Sequence, residues 1–164
     1  IAIRFCQVRR AGQHGVQATL TPLRFAGGSV EVTRRGRRWA IDSLFDDRGR
    51  ELLYLLSFYL PRFLDLPFEE KLATICHELW HVGPLFDGDL RRHEGRCYAH
   101  GHSEREYHAS MRQLAAKWLS LSPPEELTEP LRLNFRELHA QRGPIVGQKL
   151  PTPRLRQLPV AHLD

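Results

Sequence analysis

Five consecutive residues, His77-Glu78-Leu79-Trp80-His81, carry types and a spacing that could do chemistry. On a helix, residues four apart lie on one face a single turn apart, so two imidazoles at this spacing can hold one Zn2+. Glu78 stands beside them and can reach a water on the ion without binding the ion itself. Zn2+ lowers the pKa of such a water to about 7, and the carboxylate takes its proton as the water attacks a polarised carbonyl. The bland alternative is a pair of surface histidines on an ordinary helix. The surrounding pattern weighs against it. Phe68, Leu72, Ile75, Leu79 and Val82 form one apolar stripe, and at about 100° per residue both histidines point nearly opposite to it.

A catalytic zinc site of this kind needs a third protein ligand and an open position for water. Downstream candidates are Asp87, Asp89, His93, His100, His102 and His108. His100 and His102 flank Gly101, just ahead of a Ser103/Glu106 capping-box pattern, where a loop can return a ligand to the first helix. His93 stands among Arg91, Arg92, Glu94 and Arg96 and reads as exposed. His108 lies inside the following helix and reads as a helix-surface histidine, as His14, His139 and His162 read as surface residues. Cys6, Cys76 and Cys97 are odd in number and make no CxxC pair, which argues against a disulfide framework and a zinc ribbon and suits a reducing cytoplasm. Cys76 falls on a different helix face from His77 and reads as packing.

Several elements must position this pair. Residues 1–45 alternate in the manner of strands: Ile1, Ile3 and Phe5 against Ala2, Arg4 and Cys6, then Val16, Ala18 and Leu20, then Val30 and Val32, with Arg35-Gly36-Arg37 turning into Trp39-Ala40-Ile41. Leu52, Leu55, Leu56 and Tyr59 predict a helix over 51–60, stopped by Pro61. Pro67 suits the first turn of the active-site helix, which should run to about 82 and end at Gly83. A Gly-, Arg- and His-rich loop fills 83–102. The next helix carries Tyr107, Met111, Leu114, Trp118 and Leu121 on one stripe, and a last helix is expected over 131–140.

The 164 residues suffice for one domain, expected over 1–142, followed by an extended proline-rich tail over 143–164. The chain begins at Ile1 rather than Met, so a preceding segment is expected. No run approaches the roughly 20 apolar residues that span a bilayer. The net charge of +5 gathers at Arg34, Arg35, Arg37 and Arg38, at Arg91 and Arg92, and at Arg154 and Arg156. These clusters read first as a solvated basic surface, and any nucleic-acid contact is expected to be weak and salt-dependent, since no aromatic-interleaved basic motif accompanies them.

The run Leu60-Pro61-Arg62-Phe63, the HELWH motif, Phe86-Asp87-Gly88-Asp89-Leu90-Arg91-Arg92 and Tyr98-Ala99-His100-Gly101 together resemble the phage metallopeptidase family, itself distantly similar to SprT/Spartan-like proteases. The likeness covers roughly residues 1–121 and is dense from 51 to 111. HExxH alone is weakly specific; its combination with FDGDLRR and YAHG is much more so. The resemblance implies a zincin core with His77 and His81 as ligands and Glu78 as base. Its YAHG motif favours His100 as the third ligand, whereas the SprT-like comparison sets a ligand immediately before the helix and favours His102. The SprT zinc ribbon has no counterpart here. In the loop, Asp87 or Asp89 could orient a ligand histidine or simply shape a Gly-Asp turn. Tyr98 could donate to an oxyanion or merely pack. Arg91 and Arg92 read first as partners of Asp87 or Asp89, and Trp80 as packing on the helix after 103.

The expectation is therefore an α+β, zincin-like fold: a small, mainly antiparallel sheet on an active-site helix, closed by C-terminal helices. The expected activity is zinc-dependent hydrolysis of a protein or peptide. The rival is a non-catalytic zinc-containing module that binds protein or nucleic acid; Glu78 argues against it, since a structural site has no need of an adjacent carboxylate.

Overall fold

A computed structural model of the chain describes residues 1–8, 15–92, 104–147, 150–151 and 153–159. The architecture is α+β. In chain order the strands are β1 (Ala2–Gln7), β2 (Ala18–Pro22), β3 (Glu31–Arg34), β4 (Arg37–Ile41), β5 (Leu44–Phe45), β6 (Glu51–Leu52) and β7 (Tyr54–Leu60). Helices α1 (Phe68–Trp80), α2 (Glu104–Ser120), α3 (Glu125–Arg132) and α4 (Phe135–Arg142) follow, and β8 (Leu155–Gln157) comes last.

The expected helix over 51–60 is a strand. Residues 54–58 are all buried, so β7 is covered on both faces. Such a strand reads as a continuous apolar run, which periodicity cannot separate from a buried helix. β7 is the middle of a three-stranded sheet, with β1 parallel on one side and β2 antiparallel on the other. The parallel β1 makes this sheet mixed rather than mainly antiparallel. A second sheet has the order β3-β4-β8, so the tail beyond 143 returns to pair with β4.

The main core gathers Ala18, Leu56, Phe58 and Leu60 from the sheet with Phe63 and Leu64 from the turn that follows it. α1 packs between the β2 side of the sheet and α2. Glu69 and Glu70 lie in its first turn, where carboxylates complement the helix dipole. Lys71, 1% exposed, donates to the carbonyls of Leu131 at 2.9 Å and Leu133 at 2.7 Å, tying α1 to the α3–α4 junction. That junction splits the single helix expected over 131–140. Leu133 is extended, and Asn134 with Glu137 forms a capping box that starts a new helix. Leu72 and Ala73 are buried, but Leu79 is 41% exposed, so the apolar stripe of α1 fades before the helix ends. Among the described residues, no helix is long and apolar enough to cross a membrane.

Candidate metal centre

His77 in α1 and His81 at its C-cap have ring centroids 4.9 Å apart and planes at 75°. Two imidazoles side by side and about one turn apart are candidate metal ligands. The carboxyl of Glu78 leaves the same turn in another direction and is 7% exposed. Burial pushes its pKa above the ordinary carboxylate range, and a hydrogen bond from the backbone N–H of Leu20 pulls partly the other way.

That bond locates the site at a sheet edge. In an antiparallel ladder, alternate residues turn both backbone groups toward the partner strand. On β2 these are the odd positions: the carbonyl of Gln17 accepts from Tyr59, and the N–H of Leu23 donates to Leu53. The even positions face outward. Leu20 donates to Glu78, Pro22 has no N–H to offer, and beyond the strand Arg24 donates to the carbonyl of Gly88. The outward edge in front of α1 is therefore Ala18 and Leu20. A cleft of about 360 Å3 runs beside it, lined by Val16, Gln17, Ala18, Glu70, His77, Glu78 and His108 among others.

α2 contributes two rings. Tyr107 stands edge-on to His77 at 5.0 Å and 89°, and lies nearly parallel to His81 at 6.4 Å. Its hydroxyl is pushed up to about 12, first by burial and then by the charge of Glu78. His108 is exposed, with its ring 5.9 Å from that of His77. A salt bridge from Arg112 to Glu70 at 2.8 Å fastens α2 to α1 at the cleft rim.

The stretch after α1 is held by Tyr54 of the central strand. Its hydroxyl donates to the carbonyl of Asp89 at 2.7 Å and accepts from the N–H groups of Gly83 and Gly88. Gly88 has φ +88°, and a Cβ there would come within 2.5 Å of Arg24. The N–H of Arg91 donates to the carbonyl of His81 at 2.8 Å, so this loop also fixes the end of α1. Asp89 takes Arg92 and the N–H groups of Gly27 and Leu90. It is a loop-shaping residue, held by Arg92 and two backbone N–H groups. Asp87 accepts from the N–H of Asp89 at 3.1 Å. Arg91 lies over the Trp80 ring at 4.4 Å and donates to the Trp80 carbonyl. Trp80 lines a largely apolar cavity together with Tyr107, Met111 and Leu114 of α2. Cys76 is a free thiol whose pKa burial pushes up.

The structure thus brings His77, Glu78 and His81 together and adds Tyr107 and His108. Tyr98, His93, His100 and His102 lie outside the described residues. Among the described residues, no group of three His, Cys, Asp or Glu is placed to hold a metal ion. Sequence reasoning set Tyr107 on a core stripe and His108 on a helix surface. The available signal was a pair of adjacent polar rings near the start of an otherwise apolar-striped helix. No family model, curated protein or solved structure matches the chain.

Proposed function

We propose that this chain is a zinc-dependent peptidase of the zincin type, in which His77, His81 and His100 hold the ion and Glu78 is the general base. One observation carries the reading: the carboxyl of Glu78 is buried where the His77/His81 pair meets the outward edge of β2, bonded to the N–H of Leu20. A carboxylate beside two imidazoles and an outward strand edge suits hydrolysis of an extended chain. When bound, Zn2+ supplies Lewis-acid polarisation of the scissile carbonyl and acidifies water.

The substrate backbone adds to the β2 edge as a further strand, using the outward N–H and carbonyl of Ala18 and the carbonyl of Leu20. Glu78 accepts the proton of the attacking water and passes it to the leaving amine. Burial raises its basicity above that of an ordinary carboxylate, which favours a general-base role. Tyr107, which keeps its proton at neutral pH, is a donor for the developing oxyanion. His108 lines the cleft and contacts bound substrate. His100 is taken as third ligand from the family resemblance, with His102 next.

Metal analysis of the purified chain beside its Glu78→Gln variant, with a peptide-hydrolysis assay on both, tests this. We expect one zinc per chain in each and hydrolysis only with Glu78 present. Metal-replete protein that carries no transition metal would overturn the proposal, as would full activity in Glu78→Gln.

A further inference from the structure

We propose that the face of the β3–β4 hairpin carrying Trp39 binds single-stranded nucleic acid, with one base stacked on the Trp39 ring and the flanking phosphates held by Arg34, Arg35 and Arg37. This site lies on the second sheet and does not depend on the peptidase reading.

The hairpin register sorts its charges by face. Val32 pairs with Trp39 and Arg34 with Arg37, so these four side chains share one face of the ribbon. Thr33, Arg38, Glu31 and Ala40 occupy the other. On that second face the cations are neutralised: Arg38 pairs with Glu31, and Arg156 of β8, opposite Ala40, pairs with Asp42. On the Trp39 face, no carboxylate among the described residues pairs with Arg34, Arg35 or Arg37. A cavity of about 660 Å3 opens there, lined by those three arginines with Trp39, Phe25 and Leu155. That volume is in the range of sites for nucleotide-sized ligands.

Two local features run against hairpin stability and in favour of a ligand. Arg34 stands directly across from Arg37, and like charges in directly opposed positions repel. The turn between them puts Arg35 at φ 51° and Gly36 at φ 71°, the primed geometry in which Asn, Asp or Gly is favoured at the first position. Arginine there sacrifices turn fit for charge, and positions that break a local rule mark functional sites. Arg34 also lies 5.9 Å above the Phe25 ring, which holds its guanidinium at the cavity wall.

Unneutralised arginines around half-buried aromatic rings that line an open cavity are the elements of a single-strand platform: the cations track the backbone, and the rings stack bases of any sequence. A paired base cannot present its face to Trp39, so duplex is disfavoured. An acidic protein segment would satisfy the arginines but would make no use of the ring.

Fluorescence anisotropy of a fluorescein-labelled oligothymidylate with the full chain tests this. We expect log affinity to fall with log salt at a slope of about −2, three contacts at roughly −0.7 each. Arg35→Glu/Arg37→Glu, both at exposed positions, should weaken binding more than about tenfold. Trp39→Ala should weaken it about tenfold, and Trp39→Phe should restore most of the loss. Equal binding of a duplex, or of poly-glutamate with no response to Trp39→Ala, would overturn the proposal, as would unchanged oligothymidylate affinity in the arginine double variant.

Discussion

The ring of Tyr107 stands edge-on to that of His77, 5.0 Å between centroids, and nearly parallel to that of His81. A residue of α2 is thereby set against both His77 of α1 and His81 at its C-cap. Tyr107→Phe keeps the ring and removes only the hydroxyl. It should retain zinc and lower kcat by about 100-fold with little change in KM, the signature of a donor used in the transition state. Because the hydroxyl titrates only at about 12, wild-type activity should show no Tyr107-dependent loss between neutral pH and pH about 10. Steady-state kinetics across that range check both expectations, and a kcat unchanged in Tyr107→Phe would remove Tyr107 from the chemistry.

Glu78→Gln should cost about 1000-fold in hydrolysis. It should also change the pH dependence of stability in the metal-free protein. The folded-state pKa of Glu78 is raised, chiefly by burial, so its contribution is most favourable below the unfolded value of 4.5 and is lost as pH rises through the folded pKa. Metal-free Glu78→Gln should therefore gain stability relative to wild type on going from pH 4 to pH 7. Urea denaturation at the two pH values measures this; an equal difference at both would show that the carboxyl is not buried in its charged form.

For the third ligand, His100→Ala should lower zinc affinity by orders of magnitude, whereas His102→Ala and His108→Ala should retain the metal. His108→Ala should raise KM instead, since His108 lines the cleft beside His77. Competition with a chelator reads the affinities. Zinc loss in His108→Ala with retention in His100→Ala would transfer the ligand role to α2.

Asp89 should act as an acid-sensitive clasp. Burial pushes its pKa up, but Arg92 and the N–H groups of Gly27 and Leu90 outweigh this and hold it below its ordinary value of 3.8. Its contribution is thus present above the unfolded pKa and lost as pH falls below about 3.8 toward the folded value. Asp89→Asn should cost about 1–2 kcal/mol at pH 7, and the gap from wild type should narrow at pH 3. Denaturation midpoints at the two pH values check it; a gap that widens in acid would contradict the assignment.

The sequence by itself determined the chemistry-bearing turn and much of the local structure. His77, Glu78 and His81 are within one helical turn of each other, so their mutual placement needs only the helix, and Pro67 and the amphipathic run supply it. The β3–β4 hairpin is local in the same sense; the Asn134/Glu137 capping box is local too, yet one unbroken helix is expected across it. What the tertiary structure decided are contacts between residues far apart in the chain. The run 54–60 became a strand because burial on both faces overrides a helical period. Only the pairing of β2 with β7 turns Leu20 toward Glu78, and only the packing of α2 on α1 sets Tyr107 against His77 and His81. The arginines of the hairpin were visible as charge, yet strand alternation and the return of β8 decided which were neutralised and which face Trp39. Neither burial nor strand pairing is written in local spacing, because both depend on which distant segment covers a given face.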